Sequence, residues 1–308
     1  MSKPEGFEPK FTRQITYAEF DALFPNEEAC WMNLMARRWP NGVRCARCGN
    51  EKVYESKARP WHWQCMKCGP QPRSPYRFSL KTGTIFEETK KPLLQWFKVL
   101  FLMLTSKKGI SALQIHRMLG YGSYKTAWYM CMRLRAAMHD PEFQQLMGIV
   151  EVDETFIGGK EKNKHKGKHR PHSQGGAGKI EVIGAIARKG SIVCQVINRA
   201  DALPHETFVR KVVSPNVSLV STDEARHYWS LNRLGYKHEM VQHREAEYVR
   251  GQAHTQSIES FWSLIKRGIM GQYHQVSAKY LPLYLAEFQF RFNNRHERDI
   301  FGKAIAGC

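Results

Sequence analysis

The sequence predicts an α/β protein: a mixed sheet with flanking helices, preceded by a cysteine-rich ribbon and a helical region. Three observations carry this expectation. Two Cys-x-x-Cys pairs, Cys45 with Cys48 and Cys65 with Cys68, are separated by 16 residues. Apolar residues recur at helical spacing through residues 92–138. After Gly148 three strand-like runs follow one another, and helix then alternates with strand. The expected segments are 17–86 (helical segment and ribbon), 87–148 (helical region) and 149–308 (mixed sheet).

Residues 17–39 place Phe20, Leu23 and Phe24, then Cys30, Trp31, Leu34 and Met35 after Pro25, at helical spacing. Residues 41–86 are rich in Gly, Pro and aromatics, with strand-like runs at 61–65 and 76–80. The spacing of Cys45, Cys48, Cys65 and Cys68 suits two thiolate knuckles closing on one structural Zn2+, and Gly49 and Gly69 follow each second cysteine where a tight turn is needed. Two disulfides or four buried thiols are the bland alternatives. Eight cysteines in 308 residues are too few for a disulfide scaffold, which points to a reducing, cytoplasmic setting. Cys30, Cys131 and Cys194 read as small apolar fillers and Cys308 as an exposed thiol. Arg44, Arg47, Lys52, Lys57, Arg59, Lys67 and Arg73 surround the ribbon and favour phosphate contact over a purely structural role.

Pro92 opens the helical region. Ser111 and Ser123 are N-cap residues of two helices joined by a turn containing Gly120 and Gly122, the plan of a helix-turn-helix. In the second helix Ala127, Cys131, Leu134 and Met138 form an inward stripe, which leaves Lys125, Tyr129 and Arg133 to face a DNA groove. An ordinary helical hairpin has the same pattern.

Strands are expected at 149–153, 180–186, 191–197, 217–223 and near 239–242, with helices from about Pro204, from Tyr228 and from Ser257. Lys160–Lys179 has almost no apolar residue and must be a solvated loop. It interrupts the sheet directly after Asp153, so Lys160, Lys164, Lys166 and Lys168 are candidate phosphate contacts; a loop without a role is the alternative. The whole chain carries 47 Lys and Arg against 28 Asp and Glu, a net +19 that a polyanion would neutralise. Double-stranded DNA is the leading partner. A membrane is disfavoured, because the amino terminus lacks a signal-peptide core and the apolar run Leu93–Leu104 is short and broken by Gln95 and Lys98.

Asp153 and Asp223 each end an apolar strand, where a carboxylate is exposed at a sheet edge, although such residues also merely start turns. On the helix after Ser257, Ile258, Phe261, Trp262, Ile265 and Ile269 form the apolar stripe and Glu259 lies off it. Lys266 returns to nearly the angle of Glu259 two turns later. Three carboxylates suit two Mg2+ or Mn2+ ions ~4 Å apart for phosphoryl transfer, with the lysine on the scissile phosphate. Glu151 shares the strand face of Asp153 and competes with Glu259 as third ligand, whereas Glu154 and Glu224 should point away.

The cysteine ribbon, the segments Ser79–Phe86 and Val152–Lys160, and His254–Gly268 resemble bacterial insertion-sequence transposases with an amino-terminal zinc ribbon and a DDE catalytic domain of the ISXO2-like kind. The resemblance spans about residue 17 to Arg295 and implies a ribonuclease-H-like fold with Asp153, Asp223 and Glu259 as magnesium-binding residues and Lys266 as their companion. It implies an enzyme that binds the ends of its element, hydrolyses a strand and joins the 3′-hydroxyl to target DNA, acting as a homo-oligomer at the bacterial nucleoid. The alternatives are a DNA-binding regulator with an inactive acidic domain and a metal-dependent nuclease that cuts without joining. The intact acidic set with Lys266 favours the enzyme.

Overall fold

A computed structural model describes residues 15–69, 74–138, 143–159, 165, 178–197, 203–241 and 254–308. The chain forms two compact units, Met1–His139 with Arg295–Cys308, and Asp140–Asn294.

The first unit opens with α1 (Tyr17–Leu23) and α2 (Glu27–Arg38). Thr16 and Glu19 close a reciprocal capping box on α1, and Asn26 caps α2 through the N–H of Ala29. The ribbon is a three-stranded antiparallel sheet of β1 (Tyr54–Glu55), β2 (His62–Cys65) and β3 (Tyr76–Ser79). Helix α3 (Leu93–Thr105) follows Pro92, which offers no side-chain cap. Glu27 of α2 supplies it instead, accepting the N–H groups of Leu93 and Leu94 at 2.7 and 2.8 Å. Then come α4 (Ala112–Leu119) and α5 (Tyr124–Ala137), capped by Ser111 and Ser123 and joined through Gly120 at φ +64°.

The second unit is built on β4 (Ile149–Ile157), β5 (Ile180–Ala187), β6 (Ile192–Val196), β7 (Leu219–Thr222) and β8 (His238–Met240), in the order β6-β5-β4-β7-β8. β4 pairs antiparallel with β5 and parallel with β7, β5 antiparallel with β6, and β7 parallel with β8, so β5 alone of these five runs against the rest. This is the ribonuclease-H-like sheet. Side chains alternate along β4. Val150 and Val152 pack with Phe208, Val209 and Val212 of α6 (Pro204–Val212). Ile157 packs on the other face with Ile258, Phe261, Trp262 and Ile265 of α7 (Gln256–Gly268) and Leu281, Leu285 and Phe288 of α8 (Leu281–Asn293). Each fully buried side chain of this size contributes about 1.5–3 kcal/mol. Asn293 pairs with both backbone groups of Ile192 at 2.8 and 2.9 Å, so α8 covers the edge strand β6.

Two expectations change. The helix from Tyr228 is instead a pair of 3-10 turns, Arg226–Tyr228 and Leu231–Leu234, the second ended by Gly235 at φ +88°. The last helix, α9 (Ile300–Ala306), belongs to the first unit, where the Phe301 ring meets Phe20 and Phe97 edge-on and Phe24 at a tilt. Among the described residues no helix is long and apolar enough to cross a membrane.

Candidate active site

Asp153 lies on the α7 face of β4, half-buried, and Nε1 of Trp262 donates to its Oδ2 at 3.0 Å. Burial pushes its carboxyl up to about 7, and the charges of Glu154 and Asp223 add to this. Asp223 follows β7, with Oδ1 accepting the N–H of Ala225 at 3.0 Å. Its carbonyl accepts the Thr222 hydroxyl at 2.8 Å, and that hydroxyl meets Nε2 of His238 at 2.8 Å. Burial lowers His238 to about 4, so the ring stays neutral and can donate there.

Glu259 and Lys266 are exposed on α7, and the Thr255 hydroxyl donates to Glu259 Oε1 at 2.7 Å. Asp153, Glu259, Trp262 and Lys266 line one concavity of about 330 Å³ together with Ser263 and Arg267. Asp223 is not in its lining and reaches the site through its charge on Asp153. Among the described residues, the groups with metal-ligating atoms all within 4.8 Å are the four ribbon cysteines and Glu154 with His205 and His227; the three acids are not drawn that close. The donor set nevertheless suits a hard divalent cation. A carboxyl driven toward neutrality by burial, and further by adjacent carboxylates, is relieved when a cation balances its charge.

Glu154 points to the opposite face, as alternation requires. Its Oε2 accepts the Tyr228 hydroxyl at 2.8 Å and lies 3.3 Å from Nε2 of His227, whose ring stacks on His205 at 3.8 Å. Burial pushes Glu154 up, but the His227 imidazole and the Tyr228 hydroxyl outweigh it and hold the carboxyl below its ordinary value. Burial and the neighbouring His227 lower His205. These contacts pin the Arg226–Tyr228 turn, next to Asp223, onto β4.

In the first unit the sulfurs of Cys45 and Cys68 are 3.4 Å apart and those of Cys48 and Cys65 3.8 Å apart. A tetrahedron with Zn–S bonds of ~2.3 Å has edges of about 3.8 Å, so the four thiols fit zinc. Gly49 takes φ +69°, and a Cβ on Gly69 would lie 2.1 Å from the carbonyl oxygen of Ser74, so both turns need glycine. Cys308, expected to be exposed, is half-buried and donates to the carbonyl of Ala304 at 3.1 Å. Lys125 and Tyr129 are exposed, whereas Arg133 is half-buried and donates to the Tyr129 hydroxyl at 2.8 Å and the Glu87 carbonyl at 3.3 Å. All three line a concavity of about 980 Å³ with Lys90, Lys91 and Trp96. Lys160, Lys164, Lys166, Lys168 and Arg73 lie outside the described residues.

Residues 145–293 match the ISXO2-like transposase domain, and residues 25–71 match the transposase zinc-ribbon domain. The chain thus carries an ISXO2-like transposase domain and a transposase zinc ribbon. A protein of Halobacterium salinarum, named as an uncharacterized protein in transposable element ISH50, is 29% identical over 287 residues, covering 88% of this chain and 90% of that protein. Among solved structures, a simian T-cell lymphotropic virus intasome in complex with PP2A regulatory subunit B56 gamma aligns with 61% of this chain and 74% of its own at 12% identity and a TM-score of 0.29, too remote to carry an argument. Two residues of the candidate site have roles that sequence reasoning missed. Trp262 reads as core, and only its indole N–H, the polar handle of an otherwise apolar ring, hinted at a partner. Glu151, which competes with Glu259 as third ligand in the sequence, is fully buried, and its bonds to Arg188 and Ser257 had no signal there.

Proposed function

We propose that this chain is a transposase that binds the ends of its mobile element, hydrolyses a strand at each end and joins the freed 3′-hydroxyl to target DNA. The supporting observation is the common concavity of Asp153, from a central strand, with Glu259 and Lys266 from one helix face, inside an ISXO2-like transposase domain. Asp153, Asp223 and Glu259 would hold two Mg2+ or Mn2+ ions. Those ions supply the charge that activates the attacking oxygen and steadies the leaving one. Lys266 holds the scissile phosphate in line. In the first step a water oxygen bonds to phosphorus and the 3′-oxygen leaves; in the second that 3′-oxygen bonds to a target phosphorus and the target strand's own oxygen leaves.

The four cysteines hold one structural zinc. Lys125, Tyr129 and Arg133 contact element DNA, joined by Lys160, Lys164, Lys166 and Lys168 of the basic loop. Two ends must be brought together, so the chain acts as a homo-oligomer on DNA, at the nucleoid. The test is Mg2+-dependent nicking of a plasmid carrying the coding region with its flanking DNA. Asp153→Asn and Asp223→Asn should abolish nicking while DNA binding persists, since basic residues supply most of the affinity. Nicking at the wild-type rate by either variant removes that residue from the site.

A further inference from the structure

One carboxylate beside the candidate site takes no part in the proposed chemistry. Glu151 lies two residues before Asp153 on the same strand face, with 0% of its surface exposed. Its Oε1 accepts from Nε of Arg188 at 2.9 Å and from the Ser257 hydroxyl at 2.9 Å. Its Oε2 accepts the N–H groups of Ser257 at 2.8 Å and Ile258 at 3.1 Å. An ionised carboxylate offers about four lone-pair sites, and here all four are taken, so none is left for a cation.

The two N–H groups belong to the first turn of α7, where backbone donors have no intrahelical acceptor. The residue before the helix, Thr255, gives no side-chain cap; its hydroxyl donates to Glu259 instead. The cap therefore comes from β4, and a negative charge at that end also suits the helix dipole. Around it, Nη2 of Arg188 donates to the carbonyl of His254 at 3.4 Å, and the Ser221 hydroxyl of β7 donates to the same carbonyl at 3.0 Å. Nδ1 of His254 lies 3.2 Å from Glu151 Oε1.

We infer that Glu151, held by Arg188, is a positioning residue: it locks the start of α7 to the strand that carries Asp153 and so sets where Glu259 and Lys266 stand relative to that acid. The inference rests on the proposed metal-dependent reading of the site. Glutamine in its place keeps one acceptor oxygen but turns an NH2 group toward at least one of the four donors, so the clamp loosens without loss of volume.

The experiment measures plasmid nicking against Mn2+ concentration, together with amide hydrogen exchange at Ser257 and Ile258. Glu151→Gln should raise the half-saturating Mn2+ about tenfold or more, the usual effect of disturbing what orients a ligand, and should speed exchange at both amides while DNA affinity stays at the wild-type level. Val209→Ala, a core truncation on the opposite sheet face, should lower stability and leave both readouts in place. If Glu151→Gln does not fold, Arg188→Gln should give the same shifts in smaller measure. Wild-type metal dependence in whichever variant folds, or unchanged exchange at Ser257 and Ile258, overturns the inference. A wild-type protein that does not nick with metal, or an Asp153→Asn variant that still does, defeats the metal-site reading instead; exchange at the two amides then still decides whether Glu151 caps the helix.

Discussion

Gly184 stands opposite Asp153 in the β4–β5 register, and the Trp262 indole lies over it. A Cβ added there would sit 2.7 Å from Cη2 and 2.8 Å from Cζ2 of Trp262, and 3.3 Å from Cδ1 of Ile258. The ring has two responses to Gly184→Ala. If it stays, the overpacked contact costs about 1–3 kcal/mol. If it slides away, it relieves the clash and gives up the Nε1 bond to Asp153, worth about 1.5–3 kcal/mol above pH 7, where that carboxyl is ionised. These costs are alternatives and do not sum. Alanine stiffens the unfolded chain and returns about 0.4–1 kcal/mol, so the net loss is roughly 0–2.6 kcal/mol, about 1.3 kcal/mol at mid-range. For a unit of this size that lowers the melting temperature by several degrees, on the order of 2–4 °C per kcal/mol. Thermal unfolding followed by near-ultraviolet circular dichroism reads both the midpoint and the tryptophan environment. Trp262→Phe removes the crowded edge and the hydrogen bond together, so adding Gly184→Ala to it should cost well under the single-variant loss. A Gly184→Ala protein more stable than wild type, or strict additivity of the two changes, would refute the reasoning.

Purified protein should contain one zinc per chain by elemental analysis, and Cys48→Ser or Cys65→Ser should lose it, because three thiolates and a hydroxyl hold zinc far less well than four thiolates; full occupancy in both variants would remove the ribbon assignment. The raised Asp153 carboxyl sets a pH dependence for the metal-free protein. Between its ordinary value of 3.8 and about 7 the folded state keeps a proton that the unfolded chain has released, so stability rises as pH falls through that window. Melting temperatures in chelator should show this slope in wild type and lose that part of it in Asp153→Asn; parallel curves for the two proteins would count against the shift.

The ribbon and the sheet were largely legible in the sequence, each for a local reason. Four cysteines at zinc-ligand spacing have few other uses, and β-branched runs such as Ile149–Val152 and Ile180–Ile186 fit buried strands whatever surrounds them. The stripe on α7 likewise follows from its own period. Contacts across long sequence separations were not legible. Glu151 meets Arg188 37 positions away and Ser257 106 positions away, and nothing near it in the chain distinguishes a clamp from a metal ligand. The turns after Asp223 misled for another reason. Their apolar residues Tyr228 and Leu231 are buried as a helix's would be, but the Glu154 contacts at one end and Gly235 at the other hold the segment in short 3-10 turns.

Strand β4 carries two functions on alternate residues, and that makes its register decisive. Val150 and Val152 build the core toward α6, while Glu151 and Asp153 face α7. Glu151 pairs with Ser221 across the parallel ladder, and both side chains hold residues that begin or precede α7. A slip of one residue would turn the valines toward α7 and bury Glu151 and Asp153 among Phe208, Val209 and Val212, at the cost of two unpaired carboxylates. The hydrophobic pattern that selects the fold therefore also fixes the distance between an acid on the strand and an acid on the helix. In the first unit Glu27 caps α3 in the same manner, from a helix 66 positions earlier. There no acid stands two residues further along to be positioned, so the same capping chemistry secures only packing. What distinguishes the two cases is the placement of Glu151 and Asp153 on one rigid strand, which converts a helix cap into a control on the geometry of the site.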